Sequence, residues 1–221
     1  MRLLRETIRK FKYKLKFLSK NELTSLNYNV NSSVNNKLTE LMNLHGSDKG
    51  GKNNHHNFSK FYSEFFFNKR KKIKNVLEIG LGTNDPNMAS NMGKEGVPLA
   101  SLRAWRDYFV NANIYGADID KNILKDEHKI KTYFVEQIGE ESFDIILEDG
   151  LHEYSANICF FENSIKYLSD EGVYIIEDVY FKDKEKFIKY FKKTNYNFSV
   201  VDIYHKNNIA NNCLIIIRKN V

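Results

Sequence analysis

From residue 75 to residue 219 the chain alternates between two kinds of apolar segment. Short runs rich in Ile, Val, Leu and Tyr occur at 75–81 (NVLEIGL), 113–119 (NIYGADI), 130–136 (IKTYFVE), 143–149 (FDIILED) and 173–179 (VYIIEDV). Between them lie stretches with apolar residues at helical spacing, at 101–111, 156–168 and 183–193. Strands that alternate with helices form a parallel, doubly wound α/β sheet. Two further strand candidates, 198–205 and 213–219, are separated only by KNNIANN. That connection is too short for a crossover, so they form an antiparallel pair at one edge. The expectation is a seven-stranded, mostly parallel sheet.

Composition limits the domain count. With 221 residues and 42% hydrophobic content the chain can bury one sizeable core, and is short for two. No run approaches the roughly 18 to 20 apolar residues that a membrane-spanning helix needs. Both cysteines, Cys159 and Cys213, sit in apolar runs and read as buried reduced thiols of a cytoplasmic protein. Net charge is +6, and eight basic residues fall in the first 20 positions. There Leu4, Ile8, Phe11, Leu15 and Leu18 share one helical face. Such a basic amphipathic helix can touch an anionic membrane surface, although packing on its own protein or a sister subunit is the favoured reading. The rest is nearly charge-balanced and carries no nucleic-acid recognition motif, so no nucleic acid is expected as partner. Residues 21–37 are rich in Asn and Ser and read as a linker. The expected division is therefore a basic helix and linker over 1–37 and a catalytic domain over 38–221, with a lid at 45–67.

The first strand runs into VLEIGLGTNDPN, where Gly80 and Gly82 let the backbone turn tightly beside a ligand. A dinucleotide fingerprint needs a third glycine where Asp85 stands, which argues against a nicotinamide oxidoreductase. Hydrophobic–Glu–hydrophobic–Gly–x–Gly is instead the pattern of S-adenosylmethionine-dependent methyltransferases. The next strand ends in Ala117-Asp118-Ile119-Asp120, and an acid there can accept hydrogen bonds from ribose hydroxyls.

The fourth strand ends in Glu148-Asp149 and the fifth in Glu177-Asp178. In a doubly wound sheet these tips are neighbours and open onto one crevice. Converging carboxylates repel unless a cation lies between them, and a hard divalent ion is the simplest choice. His152, three residues past Asp149, can reach the same point as a general base for a hydroxyl.

Taken together, HGSDKG (45–50), FYSEFF (61–66), VLEIGLG (76–82), SLRAWRDYF (101–109), GADID (116–120), EDGLH (148–152) and YIIEDV (174–179) resemble the metal-dependent sugar O-methyltransferases of the mycinamicin and macrocin type and their bacterial polysaccharide relatives. The resemblance covers residues 45–180. It implies a Rossmann-like class I methyltransferase fold with S-adenosylmethionine and a divalent metal, Mg²⁺ or Mn²⁺, as cofactors. It implies His152 and Asp149 as catalytic residues and Asp149, Glu177 and Asp178 as metal ligands. The cofactor contacts it implies are Ser47, Lys49, Tyr62, Glu78, Gly80, Gly82, Ser101, Asp118 and Gln137. A sugar or nucleotide-sugar acceptor, capsule polysaccharide synthesis and a homo-oligomer complete the expectation. A phosphoramidate acceptor, or a scaffold role without catalysis, are the competing readings.

Overall fold

The computed structural model describes residues 36–52, 55–138, 141–208 and 210–220, together with the backbone of 26–28. The expected basic helix over 1–20 lies outside these residues. The strands are β1 (Leu26–Tyr28), β2 (Asn75–Ile79), β3 (Asn113–Asp118), β4 (Ile130–Phe134), β5 (Phe143–Glu148), β6 (Leu168–Ile176), β7 (Asn197–Ile203) and β8 (Cys213–Arg218). Among the described residues, the helices of eight residues or more are α1 (Lys37–His45), α2 (Phe58–Phe65), α3 (Ala100–Tyr108), α4 (Tyr154–Ser164) and α5 (Lys184–Phe191).

The sheet runs β1-β7-β8-β6-β5-β2-β3-β4. β8 is antiparallel to both β6 and β7, and every other pairing is parallel. The closing pair β7–β8 thus lies to one side of the sheet, as its short connection demands. β1 adds a strand outside it, pairing Leu26–Tyr28 with Val201–Ile203. The expected linker over 21–37 is therefore corrected at its centre: three residues of it belong to the sheet. Their place is set by the open edge of β7 rather than by their own asparagine-rich surroundings.

Period-two alternation explains why the strands read as continuous apolar runs. Val76, Ile114, Ile145, Leu147, Val173 and Ile175 face a core built with α1, α2 and α3. Their neighbours Leu77, Ile79, Ile146, Tyr174 and Ile176 face a second core with Phe161, Phe187 and Phe191 of α4 and α5. Both faces of the sheet are covered, as parallel sheets require. The expected lid at 45–67 divides into two parts. Phe58, Phe61 and Tyr62 of α2 are buried core residues, so this half is a packed helix; only the segment before it borders the crevice.

The chain leaves β2 toward β3 and β4, then returns to place β5 on the other flank of β2. Strand order reverses between β2 and β5, and the carboxyl ends of those strands are where an open α/β sheet forms its ligand crevice.

Candidate active site

A cavity of about 1280 Å³ opens at that reversal. Its walls include Gly80, Gly82 and Thr83 after β2, Asp118 and Ile119 after β3, and Asp149 and His152 after β5. Gly80 is required here twice over. Its φ is +91°, and a Cβ would lie 2.1 Å from the Asp149 carbonyl oxygen. The glycine turn is fastened by Asp118, whose Oδ2 accepts the Leu81 N–H at 2.6 Å and whose Oδ1 accepts the Asp120 N–H at 2.8 Å. Asp118 therefore lines the cavity while both its oxygens shape the turn. Thr83, which the sequence did not single out, donates its hydroxyl to Asp120.

Glu78, the penultimate residue of β2, is buried and lines the cavity. Its carboxylate accepts from Ser101 Oγ and from Trp105 Nε1, both at 2.7 Å. Burial pushes its carboxyl up to about 7, against the pull of Lys49. Ser101 lines the cavity and also holds Glu78. Ser47 caps the Asp48–Gly50 turn by accepting the Lys49 N–H, and borders the same space.

Two expected cofactor contacts lie elsewhere. Tyr62 is fully buried and its hydroxyl donates to Glu177 Oε1 at 2.6 Å; it orients an acid beneath the site rather than touching the cavity. Gln137 is exposed on the turn Val135–Gln137, and Val135 reaches the cavity wall in its place.

The cation between the carboxylates includes a lysine. Lys49, only 2% exposed, places Nζ 2.5 Å from Asp149 Oδ2, 2.8 Å from Glu177 Oε2 and 3.6 Å from Glu78 Oε1. Burial alone would lower its pKa, but Asp149, Glu177 and Glu78 raise it well above the ordinary lysine value. Lys49 was expected at the cofactor; it lines the cavity with its charge turned into the acids.

A second group lies beside it. Asp149, His152 and Asp178 each offer one ligand atom, all within 4.8 Å of one another. Burial pushes Asp149 and Asp178 well upward, and Glu177 adds repulsion to both. One ammonium does not offset Glu78, Asp149, Glu177 and Asp178 together. A dication would, so the donor set fits a hard ion held by the carboxylates of Asp149 and Asp178, with His152 beside it. The imidazole faces the same point: His152 Nδ1 is buried without a hydrogen-bond partner, and its Nε2 lies 3.7 Å from Asp178 Oδ2. Burial, with Lys49 and His56 adding, pushes His152 down to about 4, so it is neutral at pH 7 and offers a lone pair. Of the expected ligands, Asp149 and Asp178 belong to this group. Glu177 lies next to it, its carboxylate taken up by Tyr62 and Lys49.

The backbone marks the same residues. His152 and Asp178 have φ of 58° and 54°, a region non-glycine residues avoid. Asp178 is further flanked by His56, whose Nδ1 lies 3.1 Å from Asp178 Oδ1 and 3.0 Å from Asn212 Oδ1. Asn212 also donates to Asn57 Oδ1 and to the Ile203 carbonyl. His56 and Asn212 were not expected at the site. The adjacent histidines after HGSDKG were the one available signal.

No described protein-family profile matches the chain. It is 29% identical over 145 residues to 8-demethyl-8-alpha-L-rhamnosyl tetracenomycin-C 2'-O-methyltransferase of Streptomyces olivaceus, covering 61% of this chain and 35% of that one. It is likewise 29% identical over 136 residues to mycinamicin VI 2''-O-methyltransferase of Micromonospora griseorubida, covering 57% and 32%. The chain thus spans about a third of the length of the curated relatives it matches. Among solved structures, MycE methyltransferase in complex with Mg, SAH and mycinamycin VI aligns with a TM-score of 0.52 and 28% identity, over 66% of this chain and 40% of that one. The O-methyltransferase of Bacillus cereus in complex with SAH aligns with a TM-score of 0.52 over 86% and 94%, and at 12% identity shows the fold alone. The fold of this chain is that of the Rossmann-like methyltransferases.

Proposed function

We propose that the chain transfers a methyl group from S-adenosylmethionine to a hydroxyl of a sugar, with a divalent ion at Asp149 and Asp178. The observation that carries this reading is one cavity shared by the glycine turn at Gly80–Gly82 and the group Asp149–His152–Asp178. Pockets for one small ligand measure roughly 300–1,000 Å³. At about 1280 Å³ this one has room for a cofactor and part of an acceptor side by side. The similar proteins are named for O-methylation of rhamnosyl tetracenomycin and of mycinamicin VI, which supports a sugar hydroxyl as acceptor. A nucleotide-activated or polysaccharide-precursor sugar is our choice within that class.

S-adenosylmethionine supplies an electrophilic methyl on a sulfonium, and a hard dication lowers the pKa of a hydroxyl brought to it. The chain's own residues do the rest. Gly80 and Gly82 let a ligand approach the backbone, with Asp118 and Ser101 on the same walls. Neutral His152 takes the proton of the acceptor hydroxyl on its free nitrogen. Tyr62 fixes Glu177 so that this carboxylate does not reorganise during transfer.

The test is methyl transfer from labelled S-adenosylmethionine to a panel of nucleotide sugars and glycosides, with Mg²⁺ or with chelator. Transfer to at least one sugar, abolished by chelator, is expected. His152→Ala should bind S-adenosylhomocysteine as the wild type does and lose about 10²–10⁴-fold in transfer. Transfer undiminished by chelator would remove the ion from the account, and near-normal turnover of His152→Ala would remove the base.

A further inference from the structure

Lysine is almost never fully buried unless it is paired. Lys49 is paired with Asp149, which is also one of the three residues grouped for a cation. Its other close partner, Glu177, lies beside that group. Two cations that draw on the same carboxylate repel one another and compete for it.

The segment carrying Lys49 is flanked by two glycines in left-handed backbone. Asp48–Gly50 forms a single turn between Gly46 and Gly51, whose φ values are +85° and +78°. Glycine changes between left- and right-handed backbone at little cost, so both ends of the turn can act as hinges. Ser47, Asp48 and Lys49 form part of the cavity border. The ion pairs of Lys49 to Asp149 and Glu177 tie this border to the strand tips.

We propose that Lys49 is an intramolecular competitor of the divalent ion, so that ion binding at Asp149 and Asp178 draws Asp149 away from the ammonium and releases the 46–51 turn. This rests on the divalent-ion reading above and adds a coupling between the ion and the cavity border. By linkage, docking of the turn weakens ion binding by the same factor that the ion weakens docking.

The experiment uses the full chain and Mn²⁺ alone, with free Mn²⁺ followed by electron paramagnetic resonance. Lys49→Met and Lys49→Gln are expected to bind Mn²⁺ about tenfold tighter than the wild type, a coupling of ordinary size. Equal or weaker binding by the variants would overturn the proposal. Removing one partner of a buried ion pair can prevent folding. Hydrogen exchange of the wild-type amides at 46–51 therefore serves as the second measurement. Faster exchange there with Mg²⁺ than with chelator supports release, and unchanged or slower exchange overturns it. A wild type that binds Mn²⁺ while its variants gain nothing defeats this inference and leaves the ion reading standing. A wild type that binds no Mn²⁺ defeats both.

Discussion

At the scale of single residues, the site holds features that cost stability. Asp178 stands in left-handed backbone beside Glu177, and each strained non-glycine residue costs about 1–3 kcal/mol. Asparagine accepts that conformation as aspartate does and removes the repulsion. Asp178→Asn should therefore stabilise the chain by about 1 kcal/mol in chelator and abolish the stabilisation gained on adding Mg²⁺; denaturant melts in the two conditions measure both. Glu148 is a second case. Its carboxylate is buried, accepts the Gly150 N–H at 3.2 Å and is also bonded to Asn157. Burial pushes it from 4.5 up to about 7. A carboxyl raised in the folded state keeps a proton that the unfolded chain releases between those pH values. Its contribution to stability is therefore present below pH 4.5 and lost as pH rises to about 7, by about 3 kcal/mol in all. Glu148→Gln should remove that slope. The stability of wild type relative to variant then falls between about pH 4.5 and 7, and parallel pH profiles would contradict the assignment.

At the scale of elements, the glycine turn is the least tolerant segment. Gly80→Ala would place a Cβ against the Asp149 backbone at a positive φ. Neither backbone can yield without moving a strand tip, so a loss of about 1–3 kcal/mol is expected, together with loss of S-adenosylhomocysteine binding by calorimetry. What the sequence disclosed follows from the same locality. Strand tips ending in acids were legible because a buried run that breaks into Glu148-Asp149 or Glu177-Asp178 has few structural uses. β6 begins at Leu168, earlier than its apolar run, because polar Ser169, Asp170 and Glu171 extend it beyond the irregularity between Phe143 and Ile145 on β5. Lys49, Tyr62 and His56 were not legible in their present roles. Their partners Asp149, Glu177 and Asn212 lie 100, 115 and 156 residues away, and no local spacing reports such contacts. Converging carboxylates require a cation, and the Lys49 side chain meets part of that requirement beside any metal.

At the scale of the whole molecule, the account joins two sites that the topology makes adjacent. β2 carries the glycine turn, β5 and β6 carry the acids, and the three strands are neighbours in the sheet. A methyl donor and an ion held at these tips would share one cavity. The direct measurement is the nuclear magnetic resonance signal of S-adenosylmethionine labelled with ¹³C on its transferable methyl, bound to the chain and titrated with Mn²⁺. The account predicts severe paramagnetic broadening in the wild type and a sharp signal in an Asp149→Asn, Asp178→Asn double variant. A methyl signal that stays sharp in the wild type with Mn²⁺ bound would place ion and donor apart, and would contradict the account.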